Sequence, residues 1–164
     1  MALTKVQGEG ISGVSISANN EITMSSQPAF LAQPTSTQTN FAVNAITTII
    51  FGSVRFDQNS DFASNTFTAP VTGKYQLNVE IFVQQVNNGY EFFEVHLVTS
   101  NRTYRHASTP DHFMDTDSSL HMGYNVLADM DAGDTAIVQL NVPNTGSAQT
   151  DVHTYSSFSG YLVA

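Results

Sequence analysis

Apolar and polar residues alternate along several long stretches of the chain. In residues 74–85, KYQLNVEIFVQQ, one set of alternate positions is apolar: Tyr75, Leu77, Val79, Ile81 and Val83. The other set consists of Gln76, Asn78, Glu80 and Phe82. A period of two is typical of a β-strand that buries one of its faces.

Four further stretches carry strand signals. Residues 90–100 follow an Asn-Asn-Gly turn signal, so we expect them to form a hairpin with the strand at 74–85. Residues 134–144 and residues 152–164 predict two later strands. Residues 118–134 also favour a strand over a helix, because their apolar positions are spaced by two: Leu120, Met122, Tyr124 and Val126.

Turn markers recur from residue 28 to the end, and no repeat of 20–50 residues is present. Short strands separated by Gly, Pro and Asn turns predict an all-β fold, an antiparallel jelly-roll sandwich of about ten strands. We expect this head to span residues 28–164.

Residues 1–27 are small and polar, with Ile16, Ile22 and Met24 placed around Asn19 and Asn20. This pattern is interpreted as an N-terminal arm, either a short hairpin or an extended attachment segment. A flexible terminus is the alternative.

The charge balance excludes some partners. Five basic residues face fourteen acidic ones, the formal net charge is -9, and Lys and Arg form no cluster. Nucleic acid and anionic membranes are therefore poor partners. Membrane insertion is not expected, because the densest apolar stretch, residues 45–51, is too short to cross a bilayer. The start lacks a secretory signal pattern, so we expect any export to use another route, such as release with an assembled particle.

Catalysis is not expected, and neither is a cofactor. The chain has no cysteine, no Gly-x-Ser-x-Gly sequence, no phosphate-binding glycine loop and no HExxH pair. Asp57 and Asp61 form a conceivable pair of glycosidase carboxylates. Both lie in a stretch rich in turn residues, so a structural role is favoured.

Two stretches contain candidate metal ligands, and no metal site is predicted in either. Asp129, Asp131 and Asp134 surround Gly133, but Leu140 occupies the position where a calcium loop needs a glutamate, so a plain turn is favoured. Residues 101–124 contain three histidines whose spacing shares no face: His106, His112 and His121. Exposed or hydrogen-bonded histidines are the simpler interpretation, and one histidine from each of three chains on an axis is the alternative.

The stretch FGSVRFDQNSDFASNTFTAPVTGKY resembles the globular-head family of the first complement component, which shares a jelly-roll fold with the tumour-necrosis-factor cytokines. The matching positions are Phe51, Asp57, Phe62, Phe67, Gly73 and Tyr75. The stretches PAFLAQ and SSFSGYLVA resemble the first and last strands of the family, the latter through Phe158, Gly160 and Tyr161. Two departures are a shorter gap between Phe62 and Phe67 and aliphatic residues at Leu77 and Val79.

The resemblance implies a homotrimer that binds rather than catalyses, as in heads found on viral fibres and bacterial surface proteins. It also assigns an architectural role to the first stretch. Phe67 is expected to fill the core, Pro70 to end its strand, and Gly73 to allow a bend that a side chain would obstruct.

Three loops are expected to share one end of the jelly roll, away from the N-terminal arm: residues 84–90, 108–119 and 144–151. They are rich in amides, carboxylates and hydroxyls with a few aromatic rings. Neutral sugars are usually bound by such groups, through hydrogen bonds to the polar side chains and stacking on a ring. The predicted ligand-binding residues are Asn87, Asn88, Tyr90, His112, Asp115, Asp117, Thr145 and Gln149.

The start, MALTKVQGEG, resembles small structural proteins of tailed bacterial viruses. We therefore expect a trimeric head on a bacteriophage particle, located at the virion surface, that is structural or binds a host-surface glycan or protein receptor. The alternative is a bacterial surface or secreted domain for adhesion or assembly.

Overall fold

The computed structural model describes residues 13–86, 91–109, 118–143 and 149–164. These residues form strands, turns and bends, and no helix occurs among them. The predicted all-β class is confirmed.

Fifteen strands are present in the described residues, several of only two or three residues. They are β1 (Val14–Ile16), β2 (Ile22–Met24), β3 (Ala29–Gln33), β4 (Gln38–Phe41), β5 (Ile46–Thr48), β6 (Ser53–Gln58), β7 (Phe62–Ala63), β8 (Thr66–Thr68), β9 (Gly73–Val86), β10 (Phe93–Thr99), β11 (Thr103–Ser108), β12 (Ser118–Met130), β13 (Thr135–Asn141), β14 (Thr150–Val152) and β15 (Ser157–Leu162).

Two sheets form the jelly-roll sandwich, and all their strand pairs are antiparallel. Sheet I has the order β4-β14-β9-β15-β3-β6, and β12 pairs with the other edge of β9. Sheet II has the order β11-β10-β13-β8-β7, and β5 also pairs with β13.

The predicted hairpin of residues 74–85 with residues 90–100 is wrong. β9 lies in sheet I, where it pairs with β12, β14 and β15. β10 lies in sheet II, where it pairs with β11 and β13. The connection crosses from one layer to the other, because each strand buries its apolar face against the opposite sheet.

The core follows the predicted alternation. In β9 the five apolar positions from Tyr75 to Val83 are fully buried, and in β13 Ala136, Val138 and Leu140 are as well. Residues 118–130 form the predicted strand, with Met122 buried and Leu120, Tyr124 and Val126 packed against the core.

Aromatic rings join the two sheets. Phe30 from sheet I stacks on Phe67 from sheet II, with ring centroids 4.7 Å apart, and on Phe62 at 5.0 Å. Phe158 from β15 meets the edge of Phe30 at 5.0 Å. Phe51 and Tyr75 complete this buried group, so the matching aromatic positions form one layer of the core.

Asp57 holds the turn that places Phe62 in this layer. Its carboxylate oxygens accept hydrogen bonds from the backbone amides of Asp61 and Phe62, each at 3.0 Å. A carboxylate that accepts two amide hydrogen bonds fixes the chain direction and satisfies donors that the turn would otherwise leave unpaired.

The corner that follows differs in one detail from the prediction. Phe67 is fully buried, and β8 ends at Thr68, before Pro70. Gly73, however, begins the long strand β9, and a Cβ there would come within 2.6 Å of Leu162 Cδ1 and the Ala164 carbonyl. Glycine is needed because the end of the chain passes close by.

The strand ends define two ends of the sandwich. At the lower end, Gly73 pairs with Met130 and Tyr161 pairs with Ala29. At the upper end, Val86 pairs with Ser118.

The hairpin of β1 and β2 precedes β3 at the lower end. Val14 pairs with Met24 and Ile16 with Ile22, and the connecting turn includes Asn20 with a φ of 65°. Of the two forms expected for the N-terminal arm, the described residues adopt the hairpin.

Candidate interaction surfaces

Most of the predicted ligand-binding residues lie outside the described residues: Asn87, Asn88, Tyr90, His112, Asp115, Asp117 and Thr145. Gln149 is described and exposed. Their role as a binding site stays a prediction.

The strand ends that border the three predicted loops meet at the upper end. Val86 pairs with Ser118, and Phe93 pairs with Ser108. The amide of Glu91 donates a hydrogen bond to the carbonyl of Pro143 at 3.3 Å. The N-terminal hairpin lies at the opposite end.

The outer face of sheet I is a second candidate surface, and its register arranges outward side chains in rows across the strands. The lowest row runs from Leu127 through Gln76 and Tyr161 to Ala29. Leu127 is 57% exposed and Tyr161 is 48% exposed. Tyr161 therefore contributes to this face and not to the core.

The second row is polar at its centre and apolar at one edge. It contains Asn125, Asn78, Ser159, Leu31 and Phe56 in that order. Asn78 donates a weak hydrogen bond to Ser159 Oγ at 3.4 Å. Phe56 is about half exposed, so a large ring stands at the β6 edge of the face.

Four rings cluster near the upper end of the same face. Phe82 lies 5.7 Å from both His153 and Tyr155 and 6.1 Å from His121, measured between ring centroids. Tyr155 is 70% exposed although its ring lies 4.2 Å from that of His153. The cluster is open to solvent and offers flat apolar area with polar edges.

A contact between a glutamate and a histidine lies beside this cluster. Glu80 Oε2 is 3.1 Å from His121 Nε2 across the β9–β12 pair. The Glu80 side chain lies flat over Gly123, where an added Cβ would collide with its carboxylate. The glycine therefore leaves room for the pair on the surface of the sheet.

The outer face of sheet II has a different character. His96 is buried although it points outward, and it contacts Glu94 at 3.1 Å. A hydrogen bond from Asn141 is the main cause that lowers the pKa of Glu94, and the contact with His96 adds to it, while burial opposes the shift. These polar groups are paired within the subunit.

Asp57, one of the two carboxylates considered as a glycosidase pair, binds backbone amides of the turn that contains Asp61. Both oxygens of Asp57 are used by backbone amides. Burial raises the pKa of Asp61, the nearby Asp57 carboxylate raises it further, and a hydrogen bond from Asn59 opposes the shift. Asp61 Oδ2 is buried without a hydrogen-bond partner.

The acidic turn near Gly133 is held by its own residues. Asp134 Oδ2 accepts hydrogen bonds from the Asp131 amide and from Asn101, and Asp129 forms a two-oxygen ion pair with Arg102 at 2.8 Å. Gly133 has a φ of +91° in this turn. Within the described ranges, no three His, Asp or Glu side chains gather as a metal site.

The described histidines of the 101–124 stretch are separated in space. His106 stacks on Tyr124 at 5.5 Å, on the β11 side of the molecule, while His121 pairs with Glu80. His112 lies outside the described residues.

Sequence reasoning missed the sheet I face as a surface. The sequence does contain a sign of this surface, because apolar residues interrupt the alternation at positions expected to face solvent. Phe82 stands among polar outward positions, and Leu127 directly follows the inward Val126. An apolar residue at a position that the period assigns to solvent is the mark of such a surface.

Comparison with known proteins agrees with this architecture. The family model of the C1q domain matches residues 29–163. The chain belongs to the C1q domain family. Domains of this family are generally non-enzymatic modules that form trimers.

Two solved structures illustrate the likeness. The globular domain of zebrafish complement 1qA protein aligns with a TM-score of 0.59 at 16% identity, over 84% of this chain and 98% of that one. Murine APRIL, crystallised at pH 8.0, aligns with a TM-score of 0.55 at 11% identity, over 84% and 99%. At these identities the likeness shows the fold alone.

No curated protein matches the sequence significantly. The described residues contain no helix that is long and apolar enough to span a membrane.

Proposed function

We propose that this C1q-like domain is a non-enzymatic homotrimeric head on the surface of a bacteriophage particle, where it binds a host-surface glycan or protein receptor. The outer face of sheet I is the contact between subunits. The upper end carries the receptor-binding segments, and the lower end joins the head to the particle.

The exposed apolar side chains of sheet I are the observation that carries the proposal. Phe56, Leu127, Tyr155 and Tyr161 are each about half exposed or more, and the ring of Phe82 lies beside that of Tyr155. They stand on one sheet face around the polar residues at its centre, and exposed apolar area bordered by polar residues is typical of an interaction surface. Aromatic enrichment with few charges is typical of the buried centre of an interface.

Association of three subunits through this face would bring their upper ends next to one another. The strands of sheet I run between the upper and lower ends, so three copies around an axis along the strands would present three upper ends side by side. Weak contacts at each upper end would then act jointly, which raises the apparent affinity without new contacts.

Composition supports a neutral or polar ligand. The segments at 87–90, 110–117 and 144–148 supply amides, hydroxyls, carboxylates and the ring of Tyr90. A net charge of -9 disfavours anionic partners. The resemblance of residues 1–10 to the start of phage structural proteins supports the proposed location on a bacteriophage particle.

The assembly is tested with two matched variants. Leu127→Asp puts a charge on the sheet I face, whereas Ile46→Asp puts the same charge on β5 of sheet II, where Ile46 is 55% exposed. We expect multi-angle light scattering to give a trimer for the parent and Ile46→Asp, and a folded monomer for Leu127→Asp, because burying an unpaired carboxylate opposes association. A monomeric parent chain at micromolar concentration would overturn the proposal.

Binding is tested on the trimer with a glycan array. We expect Tyr90→Ala to abolish a signal that Ile46→Ala retains, with both variants remaining trimeric. Trimers that bind neither the array nor intact host cells would support a structural head without a receptor. Detection of the chain in purified phage particles, and not in the bacterial surface fraction, separates the viral location from the adhesin alternative.

A further inference from the structure

An apolar groove lies at the lower end of the molecule, between the N-terminal hairpin and the end of β15. Its volume is about 590 Å³. The walls are formed by Val14 and Met24 of the hairpin, by Pro70 and Val71 before β9, and by Leu162 at the end of β15 together with Val163 after it. This groove is separate from both surfaces described above.

The groove is largely uncovered in the described residues. Met24, Val71 and Val163 are 48%, 46% and 50% exposed. Ile16 and Ile22 pair across the hairpin and are also exposed, so they extend the apolar surface beyond the groove. Covering these side chains would be favourable, since apolar burial contributes about 25 cal/mol per Å².

The walls are fastened to one another by side-chain amides. Gln58 donates hydrogen bonds to the carbonyls of Met24 and Ser25, and Asn59 donates to that of Ser26. Gln27 donates to the carbonyl of Leu162 at 2.7 Å. The hairpin is thereby tied to the head, so the groove does not depend on an added partner.

We infer that the groove binds the apolar side chains of residues 1–12 of the same chain. These residues precede Gly13, which itself lines the groove, and they carry Leu3, Val6 and Ile11. An extended chain advances about 3.3–3.6 Å per residue, so Leu3 and Val6 have ample reach to the groove.

Two features favour this occupant over a separate molecule. The segment is covalently attached at the rim, which gives it an effective concentration near millimolar for a short flexible linker. Gly8 and Gly10 allow the chain to reverse direction between Val6 and Gly13. The inference does not require the subunits to associate.

The test uses thiol labelling, for which the cysteine-free chain is a clean background. Val163→Cys places one thiol in the groove, and Ile46→Cys places one at a similarly exposed position on sheet II. Each is made in the full-length parent and in full-length chains with Leu3→Asp and Val6→Asp. Both cysteine positions are half exposed, so neither substitution removes a core side chain.

We expect a maleimide to label the Val163→Cys variant about tenfold more slowly than the Ile46→Cys variant in the parent background, because thiol reactivity follows access. The Leu3→Asp and Val6→Asp changes should remove this protection and leave the labelling rate of Ile46→Cys unchanged. Equal rates for both variants, with no effect of the aspartates, would overturn the inference. Protection that grows with protein concentration would show that another copy fills the groove, which also overturns it.

Discussion

Glu80 Oε2 lies 3.1 Å from His121 Nε2 on the outer face of sheet I, and Gly123 provides the space in which the Glu80 carboxylate lies. Both side chains are about half exposed in the single subunit. In the proposed trimer they would be buried together. The proposal therefore predicts that the pair affects association more than the fold of one chain.

Gly123→Ala tests this relationship. The added methyl group would push the Glu80 carboxylate away from His121 and disturb the flat surface of the sheet. We expect monomer stability to change by less than about 1 kcal/mol, because surface substitutions have small effects. The trimer should dissociate at a higher concentration, measured by sedimentation equilibrium. Thr103→Ala on the exposed edge strand β11 is the control, and an unchanged dissociation constant for Gly123→Ala would contradict the assignment.

Phe67→Ala should be strongly destabilising. The ring is fully buried and stacks on Phe30 between the sheets. We expect a loss of about 3–5 kcal/mol in the free energy of unfolding, measured by urea denaturation. Ile50→Ala, at a residue with an exposed side chain, should cost less than about 1 kcal/mol. Similar losses for both variants would mean that the aromatic layer does not hold the sheets together.

Asp57→Ala should destabilise the corner by about 1–3 kcal/mol, because the amides of Asp61 and Phe62 would lose their acceptor. Asp57→Asn keeps one carbonyl oxygen and should have an intermediate effect in the same urea experiment. Asp131→Ala, in the exposed turn before Gly133, is the matched control and should change stability by less than about 0.5 kcal/mol. Equal stability of the two alanine variants would exclude a turn-holding role for Asp57.

Asp61→Asn should stabilise the protein at neutral pH by about 1 kcal/mol, since it removes a partly buried charge whose Oδ2 has no partner. The folded-state pKa of Asp61 is raised, so the folded protein takes up this proton more readily than the unfolded chain. Protonation therefore favours folding below the unfolded-state pKa, and this contribution is lost as the pH rises through the folded-state pKa.

The advantage of Asp61→Asn should accordingly shrink as the pH falls toward the unfolded value of about 3.9. Thermal unfolding of the variant and the parent, compared at about pH 3.5 and at neutral pH, measures the difference. An advantage that is constant with pH would show that the Asp61 charge is not its cause.

Much of the subunit was predictable from sequence because local physics specifies it. The alternation from Tyr75 to Val83 determines which face of β9 is buried, since successive side chains of a strand point to opposite sides. The aromatic positions Phe51, Phe62, Phe67 and Phe158 indicate the fold family, since large rings must fill the space between two sheets. Local turn chemistry around Asn20 also made a hairpin one of the forms expected for the N-terminal arm, and the structure has that hairpin.

The partners of the strands and the function of the outward faces depended on the tertiary structure. An Asn-Asn-Gly turn signal predicted that β9 and β10 pair, yet they lie in different sheets, because burial between layers outweighs a local turn preference. Val126 and Leu127 are both apolar neighbours, and only the register of β12 on β9 places Leu127 in a surface row with Tyr161. Hydrophobicity belongs to single residues, whereas a surface is created by residues that the fold brings together from distant parts of the chain.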